Sequence, residues 1–282
     1  MRIANLHGRA VLVRDGQALD IEKASAGKFG PAPLGLYEDW DTFRAWAEGA
    51  DYSDARPYDE NELDAPVPNP RQIFAIGLNY KDHADEAGLP YPEHLFVFTK
   101  FQSSIAGPRA VVELPSEAVD YEVELVAVIG KEMHKVDAAD AWDGVAGLSV
   151  GQDLSEREIQ LRPPVPQFSL GKSFPNFSPF GPAVVTLDEL PGYEGLRLST
   201  VIEGHGSRAG EWKVQDGNTR NMIFSVPQII AELSRIVTLF PGDVIFTGTP
   251  AGVGKAHGIA LQPGNVLTST VEGIGTLRNE FV

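Results

Sequence analysis

Read as an alternation of apolar and polar side chains, the chain is mostly short period-two or wholly apolar runs separated by glycine and proline turns. Residues 2–6 and 10–14 read as strands joined by a turn at His7-Gly8-Arg9, and a second turn follows at Asp15-Gly16. Further strand-like runs are 72–77, 96–99, 119–129, 147–152, 183–186, 198–202, 244–247 and 266–271. Helical spacing is scarcer. Trp40, Phe43 and Ala47 predict a short amphipathic helix within 37–47, and 78–87 reads as helical up to Gly88. A clear helix spans 225–237, with Ser225 as N-cap and Pro227 in the first turn, and its stop lies near Pro241-Gly242. Strands without regular βαβ alternation predict an α+β chain that is predominantly β, and they argue against a doubly wound sheet.

Between 56 and 70 the prolines 57, 66, 68 and 70 stand among acidic residues and read as a linker. The expected organisation is therefore a small N-terminal domain over 1–66 and a larger domain over 67–282.

The run 119–129 carries the first sign of chemistry. In strict alternation Glu122 and Glu124 share one face with Val126 and Val128, while Tyr121, Val123, Leu125 and Ala127 fill the other. Both faces are otherwise apolar, as in a strand inside a sheet, where neighbouring carboxylates need compensation for lost hydration. A divalent cation is the simplest compensation, because hard cations prefer carboxylate oxygens. The alternative is an edge strand with both glutamates in water. Asp153 follows another short apolar strand. It either adds a third oxygen donor, a set suited to Mg²⁺ or Mn²⁺, or caps the following turn.

His83 and Glu86 lie three positions apart on a predicted helix and share a face. A carboxylate against one ring nitrogen fixes the tautomer and makes the other nitrogen a better base; the plain alternative is a solvated helix face. Lys172, in Gly171-Lys172-Ser173-Phe174, could hold a substrate carboxylate or a developing oxyanion, or be ordinary surface charge. The glycine-rich run 246–255 fails as a phosphate loop, since Thr249 stands where a glycine is required and Ala256 follows the lysine. It reads instead as a tight loop that brings backbone N–H groups and the Thr249 hydroxyl near a ligand. Neither a dinucleotide fingerprint nor a Gly-x-Ser-x-Gly elbow is present.

Composition narrows the partners. A net charge of -16 argues against nucleic acid and demands a local positive focus for any anionic substrate. With no cysteine, disulfides and thiolate chemistry are excluded. No stretch approaches the roughly 20 consecutive apolar residues that span a bilayer, so no membrane partner is expected. The N-terminus lacks a signal peptide's apolar core, and the cytoplasm is the expected location.

Taken in order, Gly77-Leu-Asn-Tyr80-x-x-His83-x-x-Glu86, Tyr121-Glu122-x-Glu124-Leu, Asp153-x-Ser-x-Arg157-x-x-Gln160, Gly171-Lys172-Ser-Phe174, Gly181-Pro182, the run 215–227 and the run 241–254 closely resemble the fumarylacetoacetate hydrolase family over about 70–282. The first 66 residues resemble the small variable α/β domain of its bacterial members. The resemblance implies a β-rich roll of mixed sheets, usually a homodimer, with Glu122, Glu124 and Asp153 as ligands of Mg²⁺ (or Mn²⁺). It further implies His83 and Glu86 as a water-activating pair, Lys172 as a catalytic cation, and Arg157, Gln160 and Thr249 in contact with substrate. The implied reaction is cleavage of the C3–C4 bond of a 2,4-dioxo acid, such as an acylpyruvate, to pyruvate and a carboxylic acid. The same site also implies two alternatives, decarboxylation of an oxaloacetate-type 2-oxo acid and isomerisation of a 2-hydroxy-diene dioate. A binding protein that keeps the metal without turnover is the reading from another class. Pro175-Asn176 and Asn221 depart from the family's pattern, the first in a loop expected to touch substrate, the second where an aspartate is frequent.

Overall fold

A large mixed sheet carries most of the elements that position the candidate residues. The computed structural model describes residues 1–190, 192–204 and 209–282. Its longer strands are β1 (Arg2–Leu6), β2 (Arg9–Arg14), β3 (Gln17–Asp20), β4 (Ile73–Gly77), β5 (Phe96–Thr99), β6 (Val123–Ile129), β7 (Val145–Gln152), β8 (Ser178–Val185), β9 (Arg197–Gly204), β10 (Gly210–Asn218), β11 (Val244–Phe246), β12 (Val266–Val271) and β13 (Gly275–Phe281). The helices that matter below are α1 (Trp40–Glu48), α2 (Lys81–Ala87), α3 (Arg157–Gln160), α4 (Phe168–Gly171), α5 (Val226–Ile236) and α6 (Gly254–His257). Among the described residues the larger sheet has 12 strands, and its main path runs from Arg56–Pro57 through β3-β2-β1-β8-β7-β6-β11-β4-β5. Along that path β11 and β4 pair in parallel and the other neighbours antiparallel. A second sheet of five strands runs β10-β9-β12-β13 and ends on Val111–Val112. The architecture is predominantly β, as the spacing of apolar runs predicts.

The two faces of β6 explain how it can be apolar on both sides. Val123, Leu125, Ala127 and Ile129 pack into a core shared with Leu198, Val271 and Leu277 of the second sheet and with Ile229, Ile230 and Leu233 of α5. Val126 and Val128 face the other way, into a core with Tyr37, Trp40 and Phe43 from the N-terminal helices. With β7 on one flank and β11 on the other, β6 is an interior strand, and the edge-strand alternative is overturned.

Several element boundaries depart from the pattern-based expectation. The helix expected within 37–47 is two, Pro33–Glu38 and α1, broken at Asp39 with φ −131° and ψ 57°. The helix expected from residue 78 starts only at Lys81. Leu78 is left-handed at φ 54°, and the buried Asn79 amide donates to Phe224 O and Thr247 O while accepting from the Phe224 N–H. Asn79 thus ties this turn to two distant segments instead of entering the helix. The single run 119–129 divides as well. Val119–Asp120 pairs with Ser155–Glu156, and β6 begins only at Val123. At the break the N–H groups of Glu122 and Val123 donate to the side chains of Gln152 and Gln215, so Glu122 lies just outside the strand whose face it was expected to share. Helix α5 forms as expected, with the Ser225 N–H donating to Gln228 Oε1 at 2.9 Å.

The segment 56–70 is not a free linker. Leu63–Asp64 pairs with β1, the Asn5 amide donates to Ala65 O at 2.9 Å, and Ala65 and Val67 are buried. Strand β1 in turn pairs with β8, so the first 66 residues extend the sheet of the following region.

Candidate functional site

Several segments converge where the chain passes from the Val119–Asp120 pairing into β6. Glu122 sits in the break before β6, Glu124 near its start, and Asp153 directly after β7, whose strand pairs with β6. The Asp153 N–H donates to Glu122 O at 2.9 Å, which brings the two carboxylates to one level. One oxygen from each of Glu122, Glu124 and Asp153 lies within 4.8 Å of the others, and all three residues are buried.

The electrostatics of this trio are unbalanced. Burial disfavours the charged form of Glu122, but Lys172 and Arg157 outweigh it and hold that carboxyl down at about 2. Glu124 goes the other way. Burial, then Asp153 and Glu122, drive it well above the usual carboxylate range, and its one hydrogen bond among the described residues comes from the Gly248 N–H at 2.7 Å. Lys172 Nζ donates to Glu122 Oε2 at 2.8 Å and Asp153 Oδ2 at 2.6 Å. Against the pull of burial, Asp153 and Glu122 raise its pKa. Lys100 Nζ donates to Asp153 Oδ1 and Phe177 O, and burial lowers its pKa more than Asp153 restores it. Arg157 donates to Asp120, Glu122 and Gln160. With Asp120 included, four buried carboxylates face three cations, and Glu124 is the one left without a cationic partner among the described residues. An all-oxygen donor set, with one carboxyl that lacks a cation to favour its charged form, fits a divalent metal ion.

His83 and Glu86, from α2, line the same cavity of about 590 Å³ as Glu122, Arg157, Gln160 and Lys172. His83 is close enough to Glu122 to favour that carboxylate's charged form. The two α2 side chains are not hydrogen-bonded to each other. His83 Nδ1 is 3.5 Å from Glu86 Oε2 and is a buried nitrogen without a partner among the described residues. Glu86 instead accepts from the Gly252 N–H at 3.0 Å and lies 2.9 Å from His257 Nε2. Thr249 is not brought into the cavity wall. Its hydroxyl donates to Val123 O at 2.9 Å and accepts from Gln215 Nε2 at 2.8 Å, so it fastens the loop after β11 to the start of β6.

Three residues of the site escape the sequence reading. Lys100 follows the mostly exposed run 96–99 and has no local signal, because its partners Asp153 and Phe177 O lie 53 and 77 residues away. Asp120 precedes the glutamates and accepts from the Gly254 and Lys255 N–H groups as well as from Arg157. His257, half-exposed on α6, has no local signature, because its partner is 171 residues away.

A family model described as fumarylacetoacetate (FAA) hydrolase C-terminal matches residues 72–282. Human mitochondrial oxaloacetate tautomerase is 40% identical over 230 residues, covering 80% of this chain and 71% of that protein. The crystal structure of a candidate HpcE protein from Mycobacterium smegmatis aligns with a TM-score of 0.92 at 48% identity, over 100% of this chain and 99% of that one. Maleylpyruvate hydrolase from Sphingobium sp. SYK-6, solved with manganese(II) and pyruvate, aligns with a TM-score of 0.78 at 26% identity, over 100% of this chain and 99% of that one.

Proposed function

The chain belongs to the fumarylacetoacetate hydrolase family, and on that footing we propose that it cleaves the C3–C4 bond of 2,4-dioxo acids, giving pyruvate and a carboxylic acid. The observation that supports this reading is a trio of buried carboxylates that reaches, through Glu122, a cavity also lined by an imidazole and a buried ammonium. Glu122, Glu124 and Asp153 would hold Mg²⁺, or Mn²⁺ in its place. When bound, such an ion supplies Lewis acidity and a fixed positive charge beside the substrate's oxygens.

The chain's own residues account for the remaining chemistry. His83 Nδ1 is turned toward Glu86, which leaves Nε2 as the atom to take a proton from water. The water oxygen bonds to C4, the C3–C4 bond breaks, and its electron pair passes to C3, which takes up the proton His83 held. Lys172, kept protonated by the carboxylates around it, places positive charge near the oxyanion that develops at C4. Arg157 and Gln160, already bonded to each other, form a polar wall for the substrate's acid end.

A second reading is enol–keto conversion of an oxaloacetate-type acid on the same residues, with decarboxylation as its variant. The human tautomerase relative and the missing His83–Glu86 hydrogen bond favour it, since proton transfer to carbon needs no activated water. Incubating the Mg²⁺- or Mn²⁺-loaded protein with acylpyruvates and with oxaloacetate separates the readings. Pyruvate plus an acid from an acylpyruvate supports hydrolysis. Conversion of oxaloacetate enol, or release of CO₂, without any acylpyruvate cleavage would replace it.

A further inference from the structure

We infer that the substituent this site accepts on C4 is an uncharged, apolar group, aromatic or branched, and not a second carboxylate. The inference rests on the hydrolase reading and names its substrate class. It stands on the composition of the cavity away from the carboxylate trio. There the wall is made of Leu89, Phe96, Phe98, Leu161 and Phe168. Phe168, on α4, meets Phe96 edge-on with ring centroids 4.8 Å apart and lies 5.6 Å from Phe98, so three rings from α4 and β5 form one continuous surface. Phe96 is seated by Gly77 at the end of β4. A Cβ at position 77 would run into its ring, so the bare backbone there is what lets the ring lie against the cavity.

The apolar character is not hidden from solvent. Leu89 is 50% exposed, Phe96 43% and Leu161 37%, so large apolar side chains stand open at a cavity that can take a ligand. Apolar side chains left open at a cavity gain when an apolar ligand group covers them.

A carboxylate at that end would need a cation, and Arg157 and Lys172 are held at the other end of the cavity, against the carboxylate trio. Arg157 is held by Asp120, Glu122 and Gln160, and Lys172 by Glu122 and Asp153. Lys255 remains. It is exposed on α6, whose N-terminal turn is bound to Asp120, whereas the aromatic surface belongs to β5 and α4. An anion set against three rings without a cation loses hydration and gains little.

The test uses a matched pair, 2,4-dioxo-4-phenylbutanoate and its para-carboxyphenyl analogue, on the whole chain loaded with Mn²⁺. Affinity is measured by calorimetry and turnover by pyruvate release. The phenyl compound is expected to bind about tenfold or more tightly, the scale that separates burying an apolar ring from burying an anion with no cation beside it. Phe168→Ala and, as an independent variant on an exposed position, Leu89→Ala should each shrink that ratio. Lys255→Ala should leave the ratio unchanged. Equal affinities, or tighter binding of the carboxyphenyl compound, overturn the inference. So does a carboxylate preference that disappears in Lys255→Ala, or a flat ratio that would mark the aromatic surface as a contact between two copies of the chain. Binding in the expected ratio without pyruvate release overturns the hydrolase reading instead and leaves the apolar subsite standing.

Discussion

Glu86 accepts from two groups of the glycine-rich loop region while His83, three residues before it, keeps an unbonded ring nitrogen. The carboxylate therefore acts first as a tie between α2 and the region around α6, and its second oxygen stays within 3.5 Å of the imidazole. Two outcomes follow at this scale. His83→Ala should lower the hydrolytic rate by about 10²–10⁴-fold, the usual span for losing a general base, with Mn²⁺ affinity by calorimetry unchanged. A large loss of metal affinity would mean that the imidazole is a ligand. His257→Ala frees one Glu86 oxygen and should reduce kcat by about three- to tenfold, corresponding to a hydrogen bond worth roughly 0.5–1.5 kcal/mol. His257→Gln, which can still donate, should recover most of it; equal rates in wild type and His257→Ala would remove His257 from the positioning of Glu86.

The elements around the site tolerate little change in volume. Strand β7 crosses β6 at Gly151, where a Cβ would meet Val126 and Phe246 at 2.5 and 2.6 Å, both inside the core under the N-terminal helices. Gly151→Ala should cost about 1–3 kcal/mol by overpacking, read as a lower midpoint in urea. The end of β3 offers a pH-dependent case. Burial works against the charged form of Asp20, but the Arg9 side-chain bond and the Lys23 N–H prevail and lower its pKa. A carboxylate lowered in the folded state contributes stability above its unfolded value near 3.8 and loses that contribution as the pH falls through the folded value. The difference in thermal midpoint between wild type and Asp20→Asn should accordingly shrink as the pH drops below about 4. A constant difference across that range would mean that the charge on Asp20 is not the source of the effect.

At the scale of the molecule, what was legible in the sequence is whatever depends on local spacing. The apolar runs of β1, β2, β4, β5, β11 and β12 stand out, and so does α5, because its N-cap serine and first-turn proline announce it. The buried glutamates were legible for a related reason, being charges inside an apolar run. Lost were features fixed by distant partners: the break before β6, set by Gln152 and Gln215; the late start of α2, set by Asn79; and the tie from His257 to Glu86. Strand β10, with polar residues at most positions, and β13, with alternation interrupted by Arg278 and Asn279, carry too little contrast to be read alone. Thr249 adds another distant tie. Its loop reads as a ligand contact, and its hydroxyl also bonds to Val123 O and the Gln215 side chain.

The seam between β1 and β8 has a practical consequence for anyone trimming the chain to residues 67–282. Cutting there would strip the neighbour from Val184 and Val185 of β8 and leave their amide and carbonyl groups facing water, a ready template for another chain. The shortened protein should sediment as polymer or precipitate, whereas the intact one stays dispersed at equal concentration. A well-behaved, monodisperse fragment would show that β8 can shield its own margin.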